Sequence, residues 1–190
     1  MNESIIAFTF KDTDKILAFG GSCSWDLNSK RAMKCEYIVC ARNSLSPLYK
    51  GDGKHREGFL IGKISGIEPT LEEIDPNRWS IIISDYAEIN IPEVWDKGRN
   101  PIRYIQTTDL EKEFGVNLNN LEFKKVPDRD FTKINQINRE TEAYYKMNIN
   151  NKKSFVTDTN DQGLSIQEAK EKLAIRFGVT EDNIEIIIKG

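Results

Sequence analysis

The sequence has few of the side chains that most often bind metal ions or form disulfides. Its 190 residues include one histidine and three cysteines, and no two cysteines stand in a CxxC spacing. We therefore expect no closed zinc site, because suitably spaced soft ligands are too few. The odd number of cysteines also disfavours a disulfide framework and favours a reducing compartment. These absences predict a cytoplasmic protein without a bound metal.

Long apolar runs and nucleotide-binding motifs are absent too. No apolar run approaches the roughly 18 residues that a membrane-spanning helix requires, and MNESIIAFTF has neither a basic start nor a cleavage site. The glycines of LAFGGSCSW fit neither GxGxxG nor the phosphate-loop lysine pattern. A formal charge of -3 argues against affinity for polyanions over the whole surface. We expect no membrane segment and no cofactor.

Few residues suit catalysis. A thiol nucleophile would need Cys35 or Cys40 beside His55, but cysteines in apolar strands are usually inert packing. The acidic stretch 72–75 could bind a metal ion, although a solvated acidic turn is the commoner use of such residues. We therefore expect no catalytic residue, and a cysteine-dependent enzyme is kept as an alternative.

Short apolar runs recur from Ile5 to Val126 between polar or Gly/Pro-rich loops. Many short strands with few long helices predict an α+β fold whose sheet curves into a small barrel. The pattern predicts a short helix over Thr108–Glu113, capped by Thr108 and ended by Gly115. The predicted strands are Ile5–Phe10, Glu36–Ala41, Gly58–Ile67, which bends at Gly62 and Gly66, and Trp79–Ile83, which continues in alternation to Ile91.

The rest of the chain divides into a polar connector, residues 127–152, and a small C-terminal module, residues 153–190. Apolar spacing in the connector predicts a helix from about Thr132 to Met147, followed by a polar hinge. In the module, Ser165 to Glu168 forms a capping box before a helix that Gly178 ends. Strands at 153–157 and 184–189 would complete a β-α-β unit. Because this unit is too small to be stable alone, we expect it to self-associate or bind a protein partner.

Aromatic and positively charged residues lie near the ends of the predicted strands. The stretch WDKGRNPIRY, from Trp95 to Tyr104, combines both kinds, and residues 28–63 hold eight Lys or Arg against three acidic residues. Flat rings beside guanidinium groups can stack on a base, which contributes about 1–3 kcal/mol per base. The alternative is that the tryptophans belong to the core and that the charges are solvated.

The order of these segments resembles a known family. The runs WDLNSKRAMKCEYIVCARN, GFLIGKISGIEP and RWSIIISDYAEINIP are similar to the PUA-like superfamily, and most of all to its EVE-type members. The resemblance covers about residues 5 to 126. It implies that residues 1–126 form a PUA-like curved β-barrel with short helices and a pocket for RNA or for a flipped or modified DNA base.

We therefore expect a non-catalytic nucleic-acid-binding module for DNA or RNA, whose affinity falls steeply with salt. A structural or regulatory protein that associates through its C-terminal module is the other alternative. The resemblance implies that Trp25, Arg42, Asn43 and Arg99 share one concave surface. The expected ligand-binding residues are Ser22, Trp25, Asp26, Asn43, Tyr86 and Trp95, and the expected phosphate-binding residues are Lys30, Arg31, Arg42, Arg99 and Arg103.

Overall fold

A computed structural model describes residues 2–72, 75, 77–96, 98–157, 165–177 and 179–187. The chain divides into two compact units, Met1–Tyr145 and Lys146–Gly190. The predicted boundaries after residues 126 and 152 stay a prediction.

The first unit is built on a curled, half-barrel sheet. Its strand order is β2-β5-β4-β3-β1-β6, and β7 pairs with β5. The pair β1–β3 is parallel and the other pairs are antiparallel. This confirms the mixed α and β class and the curved sheet. The strands are β1 (Glu3–Thr9), β2 (Gly21–Trp25), β3 (Tyr37–Arg42), β4 (Gly58–Pro69), β5 (Trp79–Ile91), β6 (Ile102–Gln106) and β7 (Lys124–Lys125).

The helices are mostly short, with one long exception. In chain order they are α1 (Thr13–Ala18), α2 (Ser29–Ala32), α3 (Thr107–Phe114), α4 (Phe131–Thr157) and α5 (Ile166–Phe177), with 3-10 turns at Leu118–Asn120 and Glu181–Asn183.

The sheet curls where β4 and β5 slip past each other. Their register shifts between Gly58 and Leu60, between Lys63 and Ile64, and between Ile64 and Gly66. Each shift places an extra residue in one strand, which bends the strand and increases its twist. The predicted bend near Gly62 and Gly66 is thus confirmed, and β5 continues to Ile91 as the alternation indicates.

Both faces of the sheet are buried, which explains why its central strands read as nearly continuous apolar runs. Alternate residues of one strand enter different clusters, as Ile5 and Ile6 do on β1. The cluster on one face contains Trp25 and Ile38, and the cluster on the other face contains Val39 and Trp95. Fully burying one such large side chain contributes roughly 1.5–3 kcal/mol.

The first part of α4 packs on α1 and β2. Ile134 and Ile137 form a small cluster with Phe19 and Cys23. The Asn138 side-chain amide donates to the Leu71 carbonyl at 2.9 Å. The predicted helix is confirmed near its start at Thr132, but its predicted end at Met147 is wrong, because α4 continues to Thr157. The part of α4 up to Tyr145 belongs to the first unit.

The sequence pattern does not predict β2 or β6, the strands at the two ends of the order. It indicates a turn over Gly20, Gly21 and Ser22, but only Gly20 has a turn conformation, with φ 70°, and the next two residues enter β2. β6 takes in the last residues of WDKGRNPIRY, so that stretch is only partly a loop.

The predicted cap of α3 is wrong, while its end is confirmed. Gln106 occupies the capping position and makes no side-chain cap bond. Glu111, three residues after Thr108, does not cap the helix start. Its carboxylate accepts a hydrogen bond from the Leu118 backbone N–H at 2.9 Å and so fixes the turn that follows the helix. Gly115 ends the helix in the left-handed conformation, with φ 63°.

In the second unit the predicted capping box is confirmed. The Ser165 hydroxyl accepts from the Glu168 N–H at 3.2 Å, and the Glu168 carboxylate accepts from the Ser165 N–H at 2.8 Å. This carboxylate has a pKa below its ordinary value because it accepts hydrogen bonds from the Ser165 side chain and backbone. The predicted stop at Gly178 lies outside the described residues.

The predicted β-α-β arrangement is wrong for the described residues. Residues 153–157 are the last residues of α4, and the predicted hinge at 148–153 is helical too. The segment 148–157 contains no Gly or Pro, so nothing in its sequence stops the preceding helix. Residues 184–187 form no strand, and residues 188 and 189 lie outside the described part of the chain. In the described ranges no helix is long and apolar enough to cross a membrane.

Candidate functional site

A cavity of about 480 Å³ opens in the first unit beside the end of β1. We call it the aromatic cavity. Its volume lies within the roughly 300–1,000 Å³ that is usual for sites of small molecules. Its walls come from β1, β2, the segment before β5, the residue before β6, and α4. The lining residues are Phe8, Thr9, Phe10, Lys11, Cys23, Ser24, Trp25, Glu72, Asp75, Arg78, Pro101, Thr141 and Tyr145.

Aromatic rings supply the apolar walls of this cavity. Trp25 is buried, and its indole N–H donates to the Ser22 hydroxyl at 3.1 Å, which fixes the plane of the ring. Tyr145, from α4, is 42% exposed and therefore accessible to solvent. Phe8 and Phe10 come from β1 and the residue after it. The cavity thus offers several rings to a flat ligand.

A buried ion pair supplies one polar part of the wall. The Lys11 ammonium lies 2.8 Å from the Glu72 carboxylate and donates to the Cys23 carbonyl at 2.8 Å, and the two side chains are 4% and 10% exposed. Burial is the largest influence on the pKa of Lys11 and lowers it. The surrounding groups, Glu72 among them, raise this pKa by more. The ammonium is therefore charged at neutral pH and has a third proton to donate.

A second ion pair lies nearer to solvent. Arg78 contacts Asp75 at 2.8 Å and donates to the Ser24 carbonyl at 3.3 Å. The hydrogen bond from Arg78 holds the pKa of Asp75 below its ordinary value. With both pairs formed, the charges of the four charged side chains among the described residues that line the cavity cancel. The cavity therefore favours ligands by shape and hydrogen bonding rather than by net charge.

A smaller cleft of about 360 Å³ shares Phe8 with the cavity. We call it the Trp95 cleft. The rings of Phe8 and Trp95 stack at 5.1 Å with an angle of 7° between their planes, and the His55 ring meets Phe8 edge-on at 5.3 Å. The buried Nδ1 of His55 has no hydrogen-bond partner among the described residues. The cleft is lined by Phe8, His55, Arg56, Trp95, Asp96, Gly98 and Arg99.

The residues expected to bind a base are distributed over several places. Trp25 lines the aromatic cavity and Trp95 lines the cleft. Ser22 is buried and orients Trp25 from behind. Asp26, Asn43 and Tyr86 line neither the cavity nor the cleft. Asp26 is exposed, Asn43 is half-buried, and Tyr86 packs on the core cluster that contains Trp25.

Three of the five cations expected to bind phosphate are already paired with carboxylates. Arg31 forms a two-point pair with Glu3 at 2.6 and 3.0 Å and lies over the Tyr104 ring. Arg42 pairs with Glu57 at 3.2 Å and lies over the Phe59 ring.

Arg103 pairs with Glu113 at 3.0 Å and with Asp96 at 3.6 Å. Lys30 and Arg99 are exposed and form no ion pair with another described residue. Of the eight Lys or Arg between 28 and 63, four form ion pairs with described carboxylates, namely Arg31, Arg42, Lys50 and Arg56, so about half of that positive charge is paired in the fold.

The expectation of one concave surface is corrected accordingly. Trp25 lines the cavity and Arg99 lines the cleft, while Arg42 and Asn43 line neither. The reason is local: Arg42 ends β3 and is held by Glu57 and by the Tyr49 hydroxyl at 3.3 Å.

The sequence pattern does not predict Phe10, Lys11 or Tyr145 as site residues. A lysine directly after an apolar strand was a usable signal, because a charged residue there is either solvated or paired inside the fold. Tyr145 gave a weaker signal, since its helical spacing only indicated a packed face.

The thiols are unsuited to nucleophilic attack. Burial raises the pKa of Cys23 and Cys40 to about 12 and that of Cys35 to about 11, so the reactive thiolate is scarce at neutral pH. All three cysteines are free and buried.

Among the described residues no cluster of His, Cys, Asp or Glu could hold a metal ion. Comparison of the chain with protein-family models, curated proteins and solved structures found no match.

Proposed function

We propose that the first unit is a non-catalytic module that binds a nucleobase, flipped or unpaired, in the aromatic cavity. The observation that carries the proposal is the combination, in one cavity, of aromatic walls and a buried pair of opposite charges. The proposal agrees with the resemblance to PUA-like, EVE-type domains, and it extends to modified bases.

Stacking would supply most of the affinity. Each base stacked on an aromatic ring contributes about 1–3 kcal/mol, and taking a base out of a duplex costs a few kcal/mol. One or two rings can therefore offset that cost, and a single-stranded or modified base costs less to extract. Tyr145 is the ring best placed for this role, since it is 42% exposed, while the buried Trp25 lines the same cavity with its ring held in a fixed plane.

The ion pair would read the edge of the base. Lys11 presents a donor beside the acceptor oxygens of Glu72, both nearly buried. A base edge carries neighbouring acceptors and donors that can match such a pair, and a ligand that leaves either group unpaired is penalised.

The proposal is tested with oligonucleotides that differ only by one base. Short single strands, one intact and one with an abasic site at its centre, are compared by fluorescence anisotropy on the wild type, Tyr145→Ala and Tyr144→Ala. Tyr144 is the matched comparison, because it is the adjacent tyrosine, its ring meets the Tyr145 ring edge-on at 5.7 Å, and it does not line the cavity.

We expect the abasic strand to bind the wild type roughly 10- to 100-fold more weakly than the intact strand, in line with one or two lost stacking contacts. Tyr145→Ala should remove much of that difference, and Tyr144→Ala should retain it. Equal affinity of the wild type for both strands would reject the base pocket.

A further inference from the structure

We propose that the Trp95 cleft binds the phosphate next to the base that the aromatic cavity holds. The inference rests on the proposed function, since it assigns the second half of the same ligand. The proposed ligand of the cleft is a phosphodiester of a nucleic acid. A free phosphate ion offers the same kind of oxygen atoms, and the experiment below distinguishes the two.

The rings of the cleft are not available for stacking a second base. Phe8 and Trp95 lie parallel and cover each other, and Trp95 is buried. The edge of His55 occupies part of the remaining surface of Phe8. The open polar groups that line the cleft are the guanidinium groups of Arg56 and Arg99 and the carboxylate of Asp96, with the His55 ring beside them.

The charges around the cleft favour an anion. Arg99 has no ion pair among the described residues. Arg56 contacts Glu93 at 3.2 Å, and that carboxylate is 68% exposed, so the pair is weak and readily rearranged. Among the described residues that line the cleft, Asp96 is the acidic one, and Arg103 lies 3.6 Å from it.

The Nδ1 of His55, which has no hydrogen-bond partner within the part of the chain that the structure describes, points to a ligand as its partner. Buried polar atoms in proteins almost always make a hydrogen bond, and an exception needs an explanation. A phosphate oxygen would accept from this nitrogen when it carries a proton and from the guanidinium of Arg99, whose planar donors suit phosphate geometry. Because Phe8 borders both concavities, one nucleotide can place its base on one side of this ring and its phosphate on the other.

His55 is the only histidine of the chain, so its ring signal in a ¹H–¹³C NMR spectrum needs no assignment. The full chain is titrated with a nucleoside, with the corresponding dinucleoside monophosphate and with inorganic phosphate. Affinities are measured in parallel by calorimetry. Arg99→Gln is compared with Lys34→Gln, which removes an equal charge at an exposed position outside both concavities.

We expect the dinucleoside monophosphate to bind roughly tenfold more tightly than the nucleoside, the gain of one charge-assisted hydrogen-bonded contact. It should shift the His55 signal, inorganic phosphate should shift the signal in the same direction at higher concentration, and the nucleoside should leave it in place. Arg99→Gln should abolish the shift and the gain, and Lys34→Gln should retain both.

The outcomes separate the two proposals. If the nucleoside binds but the dinucleoside monophosphate neither binds more tightly nor shifts the His55 signal, the phosphate site is wrong and the base pocket stands. If inorganic phosphate shifts the signal through Arg99 while no nucleoside binds, the base pocket fails. If inorganic phosphate binds as tightly as the dinucleoside monophosphate, the ligand of the cleft is a free phosphate and the link to a neighbouring base is wrong.

Discussion

Lys11 and Glu72 bring opposite charges together where little water reaches them. Such a pair gives little net stability, because removing both ions from water costs about as much as their attraction returns. Its use lies elsewhere: it holds a donor and an acceptor in fixed positions. Removing one partner leaves the other as an uncompensated buried charge.

We predict that Lys11→Met lowers the free energy of unfolding by about 3–5 kcal/mol, and that the double variant Lys11→Met with Glu72→Met recovers most of this loss. The double variant should still fold but should no longer discriminate between bases. Urea unfolding measures the first effect and oligonucleotide binding the second. Lys133→Met is the control, because its pair with Asp14 at 3.3 Å is exposed and its loss should cost at most about 1 kcal/mol. An equal loss in both single variants would contradict this account.

The three thiols predict a second behaviour. In the folded chain their pKa values lie at about 11 to 12, whereas an unfolded thiol ionises near 8.5. Because the folded pKa is raised, the contribution of the thiols to stability is present below the unfolded pKa. It declines as pH rises above about 8.5, since only the unfolded state then loses protons.

We therefore expect the chemical denaturation midpoint to fall from pH 8 to pH 10. Iodoacetamide should modify the native protein at pH 8 at least about tenfold more slowly than the protein in urea. Rapid alkylation of the native chain would contradict the buried thiols.

At the scale of elements, β2 depends on a close backbone approach. A Cβ atom at Gly21 would contact the backbone carbonyl oxygen of Ile81 and would lie 2.8 Å from the Cα of Ile82 on β5. Gly21→Ala should thus separate β2 from β5 and cost about 3 kcal/mol or more, at the upper end of overpacking effects. Gly66→Ala is the control within the same sheet, since its Cβ would meet only the Ile82 side chain, at an ordinary 3.9 Å. Thermal unfolding compares the two, and equal melting temperatures would reject the argument.

The same strand illustrates what the sequence could and could not predict. The apolar runs of β3, β4 and β5 predicted these strands because both of their faces are buried. GSCSW did not predict β2, since the small residues that the close approach demands are the ones that usually mark turns. The pattern KSFVT favoured a strand by composition, yet the helix before it simply continues. The β-branched and aromatic signal was weaker than the absence of a stop.

The site was predictable in part for similar reasons. The resemblance implied that Trp25 binds a base, and Trp25 does line the cavity. The arginines were expected to face a ligand, but three of them pair with carboxylates, and two of these partners are distant in the sequence: Glu3 lies 28 residues before Arg31, and Glu57 lies 15 residues after Arg42. Long-range pairing of this kind leaves no periodic trace in one sequence.

For the whole molecule, the paired arginines change the expected response to salt. The sequence predicted a steep loss of nucleic-acid affinity, as many phosphate contacts would give. With a formal charge of -3 and most of the candidate arginines engaged, few phosphates remain to be contacted. We now predict a shallow slope of log affinity against log salt, about -1 to -2, equivalent to about one to three phosphates on a single strand. A slope steeper than about -4 would show that the internal pairs open to bind phosphate. Partner binding through residues 153–190 stays a prediction alongside it.

One wall of the aromatic cavity comes from α4, which supplies Thr141 and Tyr145. In the chain, α4 follows all seven strands of the sheet. A ligand that binds in the cavity would add contacts to α4 and would therefore stabilise the packing of this helix on the sheet. If α4 detached, part of the ligand surface would be exposed to solvent. Release then need not require any movement of the strands. The dissociation rate of a ligand in the aromatic cavity would then depend on how often this part of α4 detaches from the sheet.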